Sequence, residues 1–229
     1  MALYALGDLH LSLNSNKSME IFGDGWQDYV LRLKDAFSAL RPEDVTVLCG
    51  DLSWGMSLEE SLEDFRFIDA LPGKKYLLKG NHDYWWNTAA KMERFFREHE
   101  LTTMEILHNN CKFYGELALC GTRGWFYELD NQGTHDEKVL LREIGRLETS
   151  LKAAGEHEKL VFLHYPPLYQ GYRCPEILRL LKKYGVKLCC YGHLHGASHR
   201  RAIEGMWDGT EFSLVSADYL KFVPKKICE

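Results

Sequence analysis

Five times along this chain a short apolar run gives way to a residue fit to bind a metal or carry a proton, in most cases straight after a glycine. The blocks are Leu6-Gly7-Asp8-Leu9-His10, Leu48-Cys49-Gly50-Asp51, Leu78-Lys79-Gly80-Asn81-His82-Asp83, Phe162-Leu163-His164 and Tyr191-Gly192-His193-Leu194-His195. Hard divalent ions take oxygen and imidazole donors held on a rigid frame, and strand ends that deliver Asp, Asn and His supply both. Asp8 and His10 lie two apart, so an extended chain turns both to one side, where they can share one ion.

The stretches between blocks have room for helices. Val30, Leu33, Phe37 and Leu40 recur at helical spacing over Trp26 to Leu40, and Ser57 with Glu60 forms a capping box for a helix through Ala70. Thr88 to Glu100 carries Met92, Phe95 and Phe96 on one face. From Asp8 to Asp51 and from Asp51 to Asn81 the spacing reaches the roughly 30 residues of a strand–helix–strand unit. Three parallel strands then end side by side, where open α/β sheets hold their ligands.

Past residue 104 the pattern changes. Residues 105–107, 112–114 and 116–120 read as an antiparallel meander. Thr134 with Glu137 opens a long helix to Ala154, Pro175 to Tyr184 is a helix ended by Gly185, and 200–204 with 211–215 make a last hairpin around Gly205 and Asp208-Gly209. Residues 11–25 form a polar loop long enough to wall a cleft. No repeat, low-complexity segment or linker divides the chain, so 1–229 reads as a single domain.

The net charge of -5 argues against a surface built to hold long nucleic acid. No apolar run approaches the roughly 18 residues of a membrane span, and Leu3 to Leu6 is too short for a signal peptide. The seven cysteines are odd in number and form no C-x-x-C pair. They read as reduced core thiols of a cytoplasmic protein rather than a disulfide frame or a zinc cluster.

In order, Asp8-x-His10, Gly50-Asp51, Gly80-Asn81-His82-Asp83, His164 and Gly192-His193-x-His195 resemble the signature blocks of the calcineurin-like metallophosphoesterase superfamily. The resemblance implies an α/β (α+β) fold, a four-layer αββα sandwich in which two mixed sheets lie face to face with helices outside. It implies two divalent ions, Mn, Fe, Zn or Co, with Asp8, His10 and His195 on one, Asn81, His164 and His193 on the other, and Asp51 bridging. A hydroxide activated between ions about 3.5–4 Å apart would attack the phosphorus of a small-molecule phosphate mono- or diester. His82 would donate a proton to the leaving group and Asp83 would hold the His82 ring in one tautomer.

Phosphoprotein phosphatases of the superfamily continue the second block as G-D-x-x-D-R-G and the third as G-N-H-E, whereas this chain reads Gly50-Asp51-Leu52-Ser53-Trp54-Gly55 and ends the third in Asp83. It looks more like the bacterial phosphodiesterases and broad phosphoesterases. The competing class is a non-catalytic binding scaffold such as the retromer subunit, which lacks the donor that His82 provides here.

Outside the blocks, Arg123 in its glycine-flanked loop could clamp a phosphate oxygen or stand exposed. Trp54, Trp85, Trp86, Trp125 and Phe126 could line an apolar or base-stacking cleft or cap the core. Tyr165, His99, His108, His135, His157 and His199 read as structural or surface residues.

Overall fold

A strand apolar on both faces needs covering from two sides, and all of Val45–Leu48 is buried. In the computed structural model of the protein, residues 1–14, 17, 19–125 and 134–229 are described, with the side chains of Phe22, Thr134 and His135 left outside the description. The first half alternates β1 (Leu3–Leu6), α1 (Tyr29–Phe37), β2 (Val45–Leu48), α2 (Leu62–Ala70), β3 (Lys74–Leu77), α3 (Ala89–Glu98) and β4 (Met104–Ile106). The second half holds β5 (Cys111–Tyr114), β6 (Leu117–Thr122), α4 (Thr134–Ala153) and β7 (Glu158–Leu163). It continues through β8 (Leu168–Tyr169), β9 (Tyr172–Arg173), α5 (Pro175–Lys183), β10 (Leu188–Tyr191), β11 (Gly205–Trp207), β12 (Thr210–Leu214) and β13 (Lys225–Cys228).

Among the described residues the strands form a five-stranded sheet ordered β13-β1-β2-β3-β4, a six-stranded sheet ordered β11-β12-β10-β7-β6-β5, and the small ribbon β8-β9. Both large sheets are mixed: β1 to β4 run parallel and β13 antiparallel, while β6, β7, β10 and β12 run parallel between antiparallel edges β5 and β11. Alternation along each strand sorts its side chains into two cores. Leu3, Ala5, Val47, Cys49 and Leu78 meet Leu119, Phe162, Cys190 and Val215 between the sheets. Leu6, Leu48 and Leu77 point the other way, onto Leu33 and Phe37 of α1, Phe65 and Ile68 of α2 and Phe95 and Phe96 of α3. Val161, Leu163 and Cys189 likewise pack on Leu147 and Leu151 of α4 and Ile177 and Leu181 of α5. Helices, sheet, sheet, helices is the four-layer sandwich expected from the resemblance.

Several expectations are corrected. The meander does not form: β4 pairs parallel with β3 as the edge of the first sheet, and the chain crosses to the second sheet before β5 pairs antiparallel with β6. Alternation fixes a strand's faces but not its sheet. The last hairpin begins at Gly205, not Arg200, because Gly196–Arg201 winds into a 3-10 turn. The first helix is shorter than its apolar spacing, since Trp26 belongs to a separate 3-10 turn, Asp24–Trp26. The Ser57 hydroxyl does accept the N–H of Glu60 at 3.1 Å, but Glu60 reaches back to the N–H of Met56, and α2 starts only at Leu62. Phe126 and the Thr134 capping side chain lie outside the described residues.

The seven cysteines are free. Among the described residues no helix is long and apolar enough to cross a membrane.

Candidate metal centre

The blocks converge where the C-terminal ends of both sheets meet. After β1 the chain stays zipped to the segment after β2: Asp8, His10 and Leu11 donate their N–H groups to the carbonyls of Gly50, Asp51 and Leu52 at 2.8, 2.9 and 2.9 Å. Gly7 joins the second sheet, donating to Val215 at 2.7 Å and accepting from Ala217 at 3.0 Å. Within this frame Asp8 (φ 61), His10 (φ 46), Asp51 (φ 52) and His193 (φ 72) all adopt the left-handed region. Such backbone costs about 1–3 kcal/mol per residue and persists where surrounding contacts over-determine it, typically at functional sites.

Two glycines explain why the blocks are written as they are. A Cβ on Gly80 would collide with the carboxylate of Asp51, and one on Gly192 would stand 2.5 Å from Oδ2 of Asp8. The glycine before the ligand in one block therefore makes room for the carboxylate of another.

The donors gather into two groups, Asp8 with His10 and His195, and Asp8 with Asp51 and His164, each with ligand atoms within 4.8 Å of one another. In the first, His195 Nε2 lies 3.4 Å from Asp8 Oδ1 and 3.2 Å from His10 Nε2. In the second, His164 Nε2 lies 3.5 Å from Asp51 Oδ2 and 2.6 Å from Asn81 Oδ1. Asp51 Oδ2 is also 3.7 Å from His10 Nε2, so this carboxylate stands between the two groups. His193 joins through its ring, 5.1 Å from that of His164 and 4.6 Å from that of Tyr165, and its N–H bonds the Asp8 carboxylate at 2.9 Å.

The far sides of the rings fix which nitrogen faces inward. His164 Nδ1 lies 3.1 Å from the Cys49 carbonyl and His195 Nδ1 lies 2.9 Å from Asp218 Oδ1, which leaves each Nε2 as a lone pair toward the centre. Tyr29 donates its hydroxyl to the carbonyl of His10 at 2.9 Å.

The electrostatics ask for cations. Burial and the neighbouring Asp8 push the Asp51 carboxyl up to about 8. Burial would raise Asp8 too, but His195, His164 and His10 outweigh it and hold Asp8 below the usual carboxylate range. Burial drives His10 and His193 down to about 3. Burial also opposes a charged His195, yet Asp8 and Asp218 carry it up to about 10. A cation in the same field takes the place of that proton. Two fully buried carboxylates that repel, facing imidazole nitrogens 3.2 Å apart, fit divalent ions of the mixed N/O-binding kind.

His82 is half-buried beside this centre, with its ring 5.8 Å from His10 and 4.7 Å from Trp54 and its N–H on Asp51 Oδ1 at 2.7 Å. Burial and then His164 lower its pKa.

Asp83 does something other than expected. Instead of holding the His82 ring, its Oδ2 accepts the N–H groups of Asp51 and Gly80 at 2.9 and 2.6 Å, and its Oδ1 those of Leu52 and the Trp85 indole at 2.8 and 3.0 Å. The Ser53 N–H adds a longer bond to Oδ1 at 3.4 Å. A buried carboxylate next to four close donors satisfies them first, so Asp83 ties the third block to the second.

The Arg123 clamp is corrected as well. Its guanidinium lies 3.7 Å from the buried Glu143, which also takes Arg146 at 2.5 Å and the Thr122 hydroxyl at 2.6 Å, and it stacks over Trp125 at 4.8 Å. The Arg123 carbonyl, however, accepts the N–H groups of His164 and Tyr165 at 3.1 and 2.9 Å and so shapes the fourth block. Of the tryptophans singled out in the sequence, Trp54 reaches the centre, Trp85 is core, Trp86 lies against His108 and Trp125 against Tyr165.

Sequence reasoning missed Asp218, which also accepts the N–H of Gly196 at 3.0 Å and has His199 Nε2 at 3.1 Å. It missed Trp26 and Met19 too, which with Trp54, His10, His82 and His195 line a cavity of about 500 Å³ opening on the centre. Met19 comes from the 11–25 segment and Trp26 follows it directly, so the described part of that segment contributes to the cleft wall through Met19.

Known proteins resemble this chain in sequence or in fold. The chain is 24% identical over 208 residues to human tartrate-resistant acid phosphatase type 5, a match that takes in 83% of this chain and 61% of that protein's length. Its fold is similar to that of phosphopantetheinyl hydrolase from Mycobacterium tuberculosis, with a TM-score of 0.61, 14% identity and coverage of 99% of this chain and 95% of that one. A protein of unknown function from Aquifex aeolicus has a TM-score of 0.52 at 16% identity, over 98% of this chain and 95% of its own.

The class so defined is that of the phosphoesterase fold with Asp and His donors gathered at its strand ends. The chain belongs to the calcineurin-like phosphoesterase family, whose match runs over residues 1–197 and so takes in every block up to His195.

Proposed function

We propose that the protein hydrolyses small phosphate mono- or diesters at a pair of divalent ions, one held by Asp8, His10 and His195, the other by Asn81, His164 and His193, with Asp51 as the bridge. The observation that carries this reading is the place of Asp51 Oδ2, 3.7 Å from His10 Nε2 and 3.5 Å from His164 Nε2. When bound, such a pair supplies Lewis acidity toward phosphoryl oxygens and an acidified water. Mn, Fe, Zn and Co all suit mixed imidazole and oxygen donors.

His82 acts on the departing side. Its Nδ1 lies 3.4 Å from the Tyr84 hydroxyl, which leaves Nε2 for the ester oxygen. As the P–O bond to the leaving group breaks and a P–O bond to the oxygen of water forms, the Nε2 proton passes to the leaving oxygen, and His82 recovers a proton from solvent. The anionic phosphate of a bound ester opposes the lowering that burial causes at this ring. Asp83 serves by holding the backbone of Asp51 and Gly80, a positioning role.

The whole of 1–229 works as one domain in this reading, since β13 pairs with β1 and Asp218, beyond the family match, sets His195. Free thiols favour a cytoplasmic setting.

The test is turnover of p-nitrophenyl phosphate and bis-p-nitrophenyl phosphate by Mn-loaded protein, whose ratio separates monoesterase from diesterase. His82→Ala is expected to lose about 10²–10⁴-fold in turnover and to keep its metal. Full turnover in that variant removes His82 from its role. Metal uptake by the wild type without any turnover would favour the non-catalytic scaffold.

A further inference from the structure

The cavity on the metal centre has two unlike sides. One is imidazole, from His10, His82 and His195; the other is Met19, Trp26 and Trp54, and among the described residues no Asp, Glu, Lys or Arg lines it. Trp26 is nearly fully buried and meets His10 edge-on, 5.9 Å between centroids at 71°, and His195 at 5.8 Å. Trp54 lies almost parallel to His10, 5.1 Å away at 27°, and 4.7 Å from His82. The indole N–H of Trp54 is turned onto the Met19 sulfur at 3.3 Å, so Trp54 itself turns carbon to the cavity. Lys17 stands 5.2 Å from the Trp54 ring without being one of the lining residues.

We propose that this cavity seats the organic group of the substrate, and that the group is an uncharged aromatic or apolar alcohol. The inference rests on the phosphoesterase reading above and names its substrate class.

Place supports it: His82, the donor assigned to the leaving oxygen, forms part of the wall, so an ester with its phosphorus at the centre and its leaving oxygen under His82 directs its carbon chain between Trp26 and Trp54. Chemistry supports it as well. A second phosphate would give up water at that wall and find indole carbon and thioether in return, which is unfavourable. A ring loses nothing by leaving water and gains aromatic contact on two sides. Size agrees: an apolar cavity of about 150 Å³ takes benzene, so about 500 Å³ holds a substituted or fused ring.

Two esters with leaving groups of like kind make the test. Ethyl phosphate and 2-phenylethyl phosphate both release a primary alcohol from the same phosphate dianion, so the ratio of their kcat/KM values reads the organic group. The wild type is expected to prefer the phenylethyl ester by about 30-fold, which at 1.4 kcal/mol per tenfold corresponds to roughly 2 kcal/mol for one buried ring. Trp54→Ala and Met19→Ala should each reduce the preference to a few-fold; the ratio cancels any common loss from the contact of Trp54 with His10. A wild-type ratio near one, or an unchanged ratio in both variants, overturns the proposal.

If neither ester is turned over by metal-loaded protein, the phosphoesterase reading fails and binding decides the cavity separately. A saturable change in indole fluorescence with 2-phenylethanol, absent with ethanol and lost in Trp54→Ala, supports an aromatic-alcohol site. No saturable change overturns it.

Discussion

Replacing Asp83 by asparagine keeps the size of the side chain and takes away one of its two acceptor oxygens. Asp83 is 1% exposed, and each oxygen serves two close donors, Asp51 and Gly80 N–H on one, Leu52 N–H and the Trp85 indole on the other, where the Ser53 N–H adds a longer bond at 3.4 Å. Whichever way the amide is turned, its NH₂ faces two N–H groups that then have no acceptor. A buried donor left unpaired costs about 1–3 kcal/mol, so the change should destabilise by about 2–6 kcal/mol, a large part of the roughly 5–15 kcal/mol that holds a typical domain. Asp51 sits next to the break, and metal affinity should fall with stability. Urea unfolding of metal-free protein, with the midpoint shifted and the slope unchanged, measures the first; calorimetric metal titration measures the second. A double-mutant cycle keeps the reasoning testable if Asp83→Asn is poorly folded: Trp85→Phe removes one of the four donors, so the pair of changes should cost less than the sum of each alone. A loss below about 0.5 kcal/mol for Asp83→Asn, with metal affinity unchanged, would refute a carboxylate that organises the site.

Two further outcomes follow from the same centre. In metal-free protein Asp51 titrates at about 8, above its ordinary value of 3.8. A carboxyl raised on folding contributes stability that is fully present below its unfolded pKa and is lost as pH rises through the folded one; below about pH 6.5 His10 and His193, lowered to about 3, act in the opposite sense, so the metal-free protein should weaken with rising pH between about 6.5 and 8. Over that window metal must displace the proton of Asp51. Metal also displaces the proton that His195 keeps up to about 10, so affinity should climb by up to about a hundredfold per pH unit below about 8 and by up to about tenfold per unit from there to about 10. Calorimetry at pH 7 in buffers of different ionisation enthalpy should show proton release, and its absence would contradict the buried carboxylate pair. Asp218→Asn should weaken metal binding by about 10–100-fold while the fold persists, because the His195 ring loses the partner that fixes its tautomer; undiminished affinity would mean that His195 is set by other contacts.

What could be read from the residues alone is uneven for physical reasons. An apolar strand and a glycine announce a strand end whatever its partner, so Asp8, Asp51, Asn81, His164 and His193 stood out before any geometry was known. Asp218 carried no such mark. It lies in the turns after β12, and it matters only because that chain comes back beside His195. Asp83 was visible as a residue but not as a contact, since a sequence shows side-chain types and not which backbone N–H groups they will face. The misplaced strands have the same origin: β4 and β5 are neighbours in the chain, but only the crossing between sheets decides that they never pair. Trp26 was assigned to a helix by its spacing and instead closes the cavity, because the 3-10 turn directs its ring at His10 and His195.

The pairing of β13 with β1 also bears on how the molecule is made. Leu3 finds its neighbour Cys228 only after nearly the whole chain has left the ribosome, and Gly7 waits as long for Val215. Contacts this distant in sequence close late and slowly. During synthesis Asp8 and His10 are thus delivered early to a nascent chain that lacks the segment holding their frame shut, and the centre matures as one of the last acts of folding.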